Sequence, residues 1–200
     1  MKYYILRQNM SDDRAKGWYP SAIRHIDNWR FKNPSVEEME PCTYTLDLYQ
    51  DGKELDYSEL STYGVPIVSS KFKQALVGIP EVDEPYKHVV FEPVNIAGKQ
   101  VTQDYFVMIV ETQIDCVDEE RSEFRKYEDN DPVRPDRAGD YRTFFSLVVD
   151  PLKINGEHIF RLKKRVGALI VSEEVKRRID AAGVTGASFE SVNGDCRTVA

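Results

Sequence analysis

Histidine is scarce in this 200-residue sequence, which contains only His25, His88 and His158. None of the three stands at metal-ligand spacing from a cysteine or an acidic residue. Histidine is the usual acid–base group near neutral pH, so its scarcity leaves little material for a catalytic centre. The HExxH, GxGxxG, GxSxG and P-loop signatures are also absent. We therefore predict no enzyme activity, no cofactor, no catalytic residue and no metal site.

Cysteines are few, and long apolar runs are lacking. Cys42, Cys116 and Cys196 lie far apart, and their number and spacing fit neither a disulfide framework nor a zinc site. Reduced thiols in a cytoplasmic protein explain them most simply. No apolar run approaches the roughly 20 residues that span a bilayer. Lys2 and Arg7 interrupt the amino terminus too early for a secretion signal. We expect a cytoplasmic protein with no membrane partner.

Charge is plentiful but unevenly distributed. Acidic residues number 34 and basic residues 27, which gives a net charge of −7. Residues 111–140 contain eleven acidic and five basic residues, whereas residues 141–200 contain seven acidic and ten basic ones. The net negative charge argues against a nucleic-acid partner, because phosphate contacts require positive side chains. The acidic segment suits a basic partner, although many acidic proteins have no such role.

A short pattern occurs twice and predicts part of the fold. Near the end of the chain an apolar run leads to Ser172, which is suited to cap a helix that stops at Gly183. Residues 67–79 repeat this order, with Ser69 as the cap and Gly78 as the stop. An extended segment follows each helix. The repeat is either an internal duplication of a strand–helix–strand unit or the common form of any capped amphipathic helix.

The strongest predicted strand covers residues 105–113. Its apolar run is unbroken before Glu111, so both of its faces are expected to be buried. The amino terminus is predicted to form an edge strand. Ser21 is predicted to cap a short helix that ends before Pro34. Other strands are predicted at residues 44–49, 144–149 and 159–163.

These elements predict one α+β domain over residues 1–200. We expect a mixed or antiparallel sheet with a few short capped helices. A division into two lobes, residues 1–100 and 101–200, is left open, as is the internal duplication. No low-complexity segment or clear linker interrupts the sequence.

The acidic residues of segment 115–131 form the candidate site. They are Asp115, Asp118, Glu119, Glu120, Glu123, Glu128, Asp129 and Asp131. Such a group can bind a divalent cation or supply a pair of catalytic carboxylates. However, the run from Asp129 to Pro132 lacks the glycine and the closing glutamate of a calcium loop. A solvated loop and a protein-binding surface are the other two interpretations.

Three groups of residues resemble a known protein family. The first is Lys2-Tyr3-Tyr4-Ile5-Leu6, and the second joins the strand at 105–110 to Val117-Asp118-x-x-x-Ser122-Glu123. The third comprises Phe160-Arg161-Leu162, Ile170-Val171-Ser172 and Gly183-Val184-Thr185-Gly186-x-x-Phe189. They extend over nearly the whole chain, whereas residues 11–41 match no motif. The chain resembles the immunity proteins of bacterial polymorphic toxin systems, in a branch formerly described as a domain of unknown function with a myxobacterial type member.

The resemblance implies a cytoplasmic bacterial protein that binds a cognate protein toxin and neutralises it by occlusion, as a monomer or a homodimer. Combined with the charge distribution, it predicts that the eight acidic residues of segment 115–131 contact a basic toxin, such as a nuclease. Two other classes of protein stay open. One is a carboxylate-dependent hydrolase, and the other is a regulatory or scaffold module with a different protein partner.

Overall fold

The computed structural model describes residues 1–9, 17–34 and 41–193, which fold mainly into β-strands. The strands are β1 (Tyr3–Gln8), β2 (Tyr19–Ile23), β3 (Tyr44–Gln50), β4 (Tyr57–Glu59), β5 (Pro66–Ser69), β6 (Val89–Ile96), β7 (Tyr105–Val110), β8 (Gln113–Ile114), β9 (Glu123–Lys126), β10 (Tyr141–Ser146), β11 (Ile159–Leu162), β12 (Arg165–Ser172) and β13 (Ala187–Ser191). These residues also form two α-helices, α1 (Ser70–Ala75) after β5 and α2 (Glu173–Ala181) after β12. Short 3-10 helices occur at Asn28–Phe31, Pro135–Arg137 and Pro151–Lys153.

The strands form two large sheets and one ribbon. The first sheet has the order β2-β3-β6-β7-β5-β4, the second has the order β13-β1-β12-β11-β8, and β9 and β10 pair as the ribbon. The β3–β6 and β8–β11 pairs are parallel, and the other pairs are antiparallel. The chain passes from the first sheet to the second between β7 and β8. The sheets meet again where the Glu59 N–H donates to the side-chain oxygen of Gln8 at 3.0 Å. The result is a nearly closed, barrel-like mixed sheet, which confirms the predicted α+β class.

Apolar side chains cover both faces of each large sheet. The central cluster combines residues of both sheets with the inward faces of the helices, including Phe72 and Val175. In β7, Met108 joins this cluster, whereas Ile109 joins a second cluster on the other face of the first sheet. β7 is therefore buried on both faces, as its unbroken apolar run predicts.

Both predicted serine caps are confirmed. The Ser69 hydroxyl accepts a hydrogen bond from the Phe72 N–H at 3.2 Å, and the Ser172 hydroxyl accepts one from the Val175 N–H at 3.3 Å. Each hydroxyl thereby satisfies an amide of the first helical turn that has no partner within the helix. The glycines predicted to end the two helices, at 78 and 183, both adopt positive φ angles.

The predicted duplication and the predicted lobes are not confirmed. β5 pairs with β4 and β7, whereas β12 pairs with β1 and β11, so the two capped units occupy different sheets. Each sheet also takes a strand from the other half of the chain. β1 lies among strands of the carboxy-terminal half, and β7 lies among strands of the amino-terminal half. A boundary near residue 100 therefore does not separate the sheets.

Two predicted local elements are wrong, and a third is confirmed only in part. The amino-terminal strand is interior, because β13 pairs with the side of β1 that was expected to be free. Ser21 lies in β2, whose pairing with β3 outweighs the local helix signal, and Asp27 instead caps the 3-10 helix that follows. The strand predicted at 144–149 ends at Ser146, because β10 pairs with β9 and the residues after it pack in a buried segment. The predicted fraying of residues 193–200 falls largely outside the described residues.

Asp56, just before β4, connects the two sheets at the level of the helices. Its carboxylate accepts hydrogen bonds from the Ser69 hydroxyl at 2.8 Å, the Gln103 amide at 3.0 Å and the Lys71 ammonium at 3.1 Å. It also accepts bonds from the Thr185 N–H at 2.9 Å and the Thr185 hydroxyl at 3.0 Å. Thr185 lies between α2 and β13, so one carboxylate joins both capped units. Burial alone would raise the pKa of Asp56, but these donors outweigh it and bring the pKa to about 2.

We expect Asp56→Asn to lower the free energy of unfolding by about 2 kcal/mol, because an amide cannot accept from all of these donors. Since the folded pKa of about 2 lies below the ordinary 3.8, the stabilisation is complete above pH 4 and is lost as the pH falls towards 2. Chemical denaturation at pH 7 and at pH 3 measures both effects. Asp104→Asn, at an exposed position nearby, is the control. Equal pH dependence in Asp56→Asn and the wild type would contradict this role.

Gly186 is the point of closest approach between the turn after α2 and β4. Its φ angle is +84°, and an added Cβ would lie 2.2 Å from the Tyr57 carbonyl oxygen. Gly139 has a similar φ angle of +80° but open space around its Cα. Alanine at either position strains the backbone, but only alanine at position 186 would also push the turn away from β4.

Gly186→Ala should therefore lower the free energy of unfolding by about 3 kcal/mol, compared with about 1 kcal/mol for Gly139→Ala. Urea denaturation of the two variants and the wild type tests this difference. If the two variants lose the same stability, the close approach at Gly186 does not constrain the fold.

Candidate functional site

An acidic cleft of about 720 Å³ lies beside the β9–β10 ribbon. Five carboxylates line it: Asp115, Asp118, Glu119, Glu120 and Asp150. Tyr141, Lys153 and Lys164 complete its polar wall. Four of the residues predicted from the sequence therefore come together on one concave surface.

Backbone pairing between two distant segments fixes the shape of this acidic cleft. Val117 forms an antiparallel bridge with Val149. The Asp118 N–H donates to the Val148 carbonyl at 3.0 Å, and the Asp150 N–H donates to the Cys116 carbonyl at 2.7 Å. Ser122 then closes the acidic turn: its N–H donates to the Asp118 carbonyl at 2.9 Å, and its hydroxyl accepts from the Val148 N–H at 2.9 Å. The acidic residues are thus held by the main chain.

Some of the carboxylates in the cleft have internal partners. Lys164 lies 2.9 Å from Asp115, and Arg121 lies 3.7 Å from Asp118. Glu119 accepts hydrogen bonds from the Lys126 ammonium at 2.7 Å and from the Tyr141 hydroxyl at 2.6 Å. These two bonds, the lysine bond above all, hold the pKa of Glu119 below its ordinary value. The orientation of these side chains is therefore set before any partner arrives.

The other predicted acidic residues lie outside the cleft. Glu123 is exposed on β9, and Glu128 and Asp129 are exposed in the loop that follows. Together with Glu120, they make no ion pair within the part of the chain that the structure describes. They extend the acidic surface from the cleft along the ribbon.

Asp131 differs from the other predicted residues because it is buried. Its carboxylate accepts hydrogen bonds from the N–H groups of Val133 at 3.0 Å and Arg134 at 2.8 Å, and it lies 3.3 Å from Arg142. The two backbone bonds are the main reason that the pKa of Asp131 is low. Its geometry is that of a carboxylate that stabilises the loop from within.

Sequence reasoning missed Asp150, Tyr141 and the two lysines of the cleft. They lie at least ten residues beyond the acidic segment in sequence, and the Val117–Val149 bridge and the β9–β10 pairing bring them to it. The Asp150-Pro151 pair does carry a local signal, since Asp150 caps the following 3-10 helix by accepting from the Leu152 N–H at 3.0 Å. That signal indicates a turn and gives no information about the cleft.

The structure contains few features of other kinds of site. Within residues 1–9, 17–34 and 41–193, no group of three or more His, Cys, Asp or Glu side chains is arranged to hold a metal ion. No helix in these ranges is long and apolar enough to cross a membrane. Cys42 and Cys116 are free thiols, and Cys196 lies outside the described residues.

The fold and the cleft define a mostly β protein with a preformed acidic surface. The family model described as the immunity protein family (Imm11) matches residues 3–194, nearly the whole chain. The chain therefore belongs to this immunity protein family, as its sequence motifs predict. No curated protein matches the sequence.

The bonds to Glu119 yield a direct test of the charge arrangement in the cleft. Lys126→Met should raise the pKa of Glu119 towards the ordinary glutamate range, and Tyr141→Phe should raise it by a smaller amount, since the lysine bond is the stronger cause. NMR titration of the side-chain carboxyl carbons measures both shifts. Lys163→Met, at an exposed position on the neighbouring hairpin, should leave the pKa unchanged. A Glu119 pKa insensitive to Lys126→Met would show that the pair does not form in solution.

Proposed function

We propose that this protein is an immunity protein that binds a cognate toxin of a bacterial polymorphic toxin system and neutralises it by occlusion, without turnover. Family membership supports the general role. The observation that carries the mode of binding is the acidic cleft together with the unpaired carboxylates beside it. A preformed concave surface can cover a functional site of another protein without any chemistry of its own.

The toxin that this surface fits is a basic protein, such as a nuclease. Asp115, Asp118, Glu119, Glu120 and Asp150 concentrate negative charge in one concave region. Complementary charge accelerates the encounter between partners and excludes partners of the wrong sign. A nuclease presents positive charge because it must attract phosphate.

Two groups of acidic residues contribute to binding in different ways. Glu120, Glu123, Glu128 and Asp129 are exposed and supply long-range attraction. Asp115 and Glu119 are held in place by internal partners, so little conformational freedom of their side chains is lost on binding. A typical interface of about 800 Å² per partner covers the cleft and the neighbouring ribbon. In this arrangement Asp131 acts indirectly, by holding the loop that carries Glu128 and Asp129.

The protein acts in the cytoplasm of the cell that produces the toxin, as a monomer or a homodimer, without nucleic acid or membrane partners. The decisive experiment is expression of the neighbouring toxin gene in cells with and without this protein. Survival that depends on this protein supports immunity. Equal survival would contradict immunity and would direct attention to the hydrolase or scaffold interpretations. Assays on phosphodiesters and glycosides, with and without magnesium, test the hydrolase interpretation directly.

Charge reversal of the acidic surface should slow toxin binding. We expect the fourfold variant Asp118→Lys, Glu119→Lys, Glu120→Lys, Glu123→Lys to reduce the association rate by about tenfold or more at low salt and to flatten its salt dependence. The smaller variant Glu120→Lys, Glu123→Lys alters only residues without internal ion pairs, so its folding should be unaffected. Stopped-flow or surface plasmon resonance measurements at two ionic strengths test this.

The matched control is Glu92→Lys, Asp104→Lys, which reverses two charges away from the cleft. It should leave the dependence of the association rate on salt close to that of the wild type once the change in net charge is allowed for. If the cleft variants associate as fast as this control, the acidic surface is not the toxin-binding surface.

A further inference from the structure

A second cavity, of about 410 Å³, shares no lining residue with the acidic cleft, although β10 contributes to both. β12 contributes residues 165–168 to it, β1 contributes residues 5–7, and the segment of the Asn28–Phe31 helix contributes Trp29 and Lys32. Further lining residues come from β10, from β4 and the turn after it, and from three other positions, Arg137, Leu147 and Glu190. The lining includes four basic side chains and four aromatic rings, together with apolar side chains and two carboxylates.

The cations of this cavity are poorly neutralised. Lys32 is only 3% exposed, and within the described part of the chain its ammonium group donates one long hydrogen bond, to the Gly64 carbonyl at 3.3 Å. Arg161 is fully buried behind the cavity. Its Nη1 donates to the carbonyl of Val166, a lining residue, at 2.9 Å, while its Nε and Nη2 have no hydrogen-bond partner among the described residues. Buried donors without acceptors are costly.

Carboxylates do not balance these charges. The lining contains four cations, Arg7, Lys32, Arg137 and Arg165, and two carboxylates, Glu59 and Glu190. Arg7 lies 3.7 Å from Glu190, and Arg137 pairs with Asp140 at 3.2 Å, so Lys32 and Arg165 are the cations that form no ion pair among the described residues. Burial raises the pKa of Glu59, which weakens its tendency to carry a charge. Burial and the nearby positive charge of Arg161 lower the pKa of Lys32 to about 7. Burial, which disfavours the charged form of each group, is the main cause of both shifts.

Aromatic rings form the rim. Trp29 and Tyr63 pack edge to face, with ring centroids 5.2 Å apart, and are 37% and 49% exposed. Phe145 is 54% exposed, and Phe144 lies beside it in the wall. Exposed rings next to cations are the combination with which proteins hold a planar base and its phosphate: the rings stack on the base, and the cations bind the phosphate oxygens.

We propose that this cavity binds a nucleoside monophosphate or diphosphate, with the phosphate near Lys32 and Arg165 and the base against Trp29 and Tyr63. The size of the cavity favours this class of ligand, since pockets for small molecules occupy roughly 300–1,000 Å³. A single acidic side chain from a protein partner would fill only a part of it. The proposal is independent of toxin binding at the acidic cleft, because the two cavities have no lining residue in common.

Isothermal titration calorimetry of the full chain tests the proposal with the four common ribonucleoside monophosphates and diphosphates, inorganic phosphate and adenosine. At least one nucleotide should bind with 1:1 stoichiometry and more tightly than phosphate or adenosine alone, because both halves of the cavity are then used. Lys32→Met should weaken nucleotide and phosphate binding by tenfold or more. Trp29→Leu should weaken nucleotide binding by roughly tenfold, the effect of one stacked ring, and leave phosphate binding unchanged.

Two controls match these variants. Lys53→Met removes an exposed lysine, and Tyr49→Leu removes an exposed ring, and neither residue lines the cavity. Both should bind nucleotide as the wild type does. If Lys32→Met does not fold, Trp29→Leu and Tyr63→Asn carry the test, because both positions are exposed and Asn tolerates the positive φ angle of +62° at position 63.

Absence of saturable binding with every nucleotide would overturn the proposal, as would binding that is insensitive to both Lys32→Met and Trp29→Leu. If no nucleotide binds and Lys32→Met weakens only toxin binding, the cavity is a contact for an acidic group of the toxin and the nucleotide proposal fails. If the protein binds nucleotide but does not protect cells from the toxin, the result contradicts the immunity role and leaves the nucleotide proposal standing.

Discussion

The carboxylate of Asp56 sets the relation between the two sheets, and the positions of both helices depend on it. Five donors surround a side chain that is almost fully buried, and they come from β5, from α1 and from the segments before β7 and β13. An ionised group in such a place is stable only when its hydrogen bonds are complete. The bond from Ser69 is notable because the same hydroxyl caps α1. The start of α1, the Asp56 carboxylate and the turn at Thr185 therefore belong to one hydrogen-bond network.

The closure of the sheet positions the two concave surfaces. The chain crosses to the second sheet between β7 and β8 and then enters the acidic segment, which pairs with residues 147–150. β10 lies between the two surfaces, with Tyr141 in the acidic cleft and Thr143 to Phe145 in the second cavity. Lys164 lines the acidic cleft, whereas the adjacent Arg165 lines the second cavity. The acidic cleft and the cation-lined cavity therefore adjoin at β10 and at the start of β12.

Local patterns predicted the elements whose signals are carried by neighbouring residues. The caps at Ser69 and Ser172 and the two-sided burial of β7 depend on residues within one turn or one strand, and all three are confirmed. The interior place of β1 depends on pairing with β13, nearly two hundred residues away in sequence. The prediction of a helix capped by Ser21 is wrong for the same reason, since strand pairing with β3 outweighs a short local helix signal.

The candidate site was predictable only in part. The grouping of Asp115, Asp118, Glu119 and Glu120 follows from their proximity in sequence, and it required no knowledge of the fold. The contribution of Asp150 and the internal role of Asp131 depend on which backbone groups happen to lie nearby. The second cavity gave no signal at all, because its cations and rings come from six separate segments. Isolated basic residues in a sequence are ordinarily solvated, and only burial makes them informative.

Some carboxylates of the acidic surface have internal hydrogen-bond or ion-pair partners, and others have none among the described residues. This difference bears on how an acidic surface can bind a partner both specifically and rapidly. A surface of flexible, fully exposed acids attracts any basic protein, but each side chain loses its freedom when it is bound. Lys126 and Tyr141 remove that freedom from Glu119 in advance, and the positive charge of Lys126 offsets the negative charge of Glu119. Glu120 and Glu123 form no ion pair among the described residues, so in the proposed binding mode they attract a partner at longer range. Because the two groups are adjacent, the binding mode that we propose has attraction bring the toxin to the place where the shape of the cleft selects it. An internal ion pair in such a cleft therefore contributes to recognition through geometry more than through its own charge.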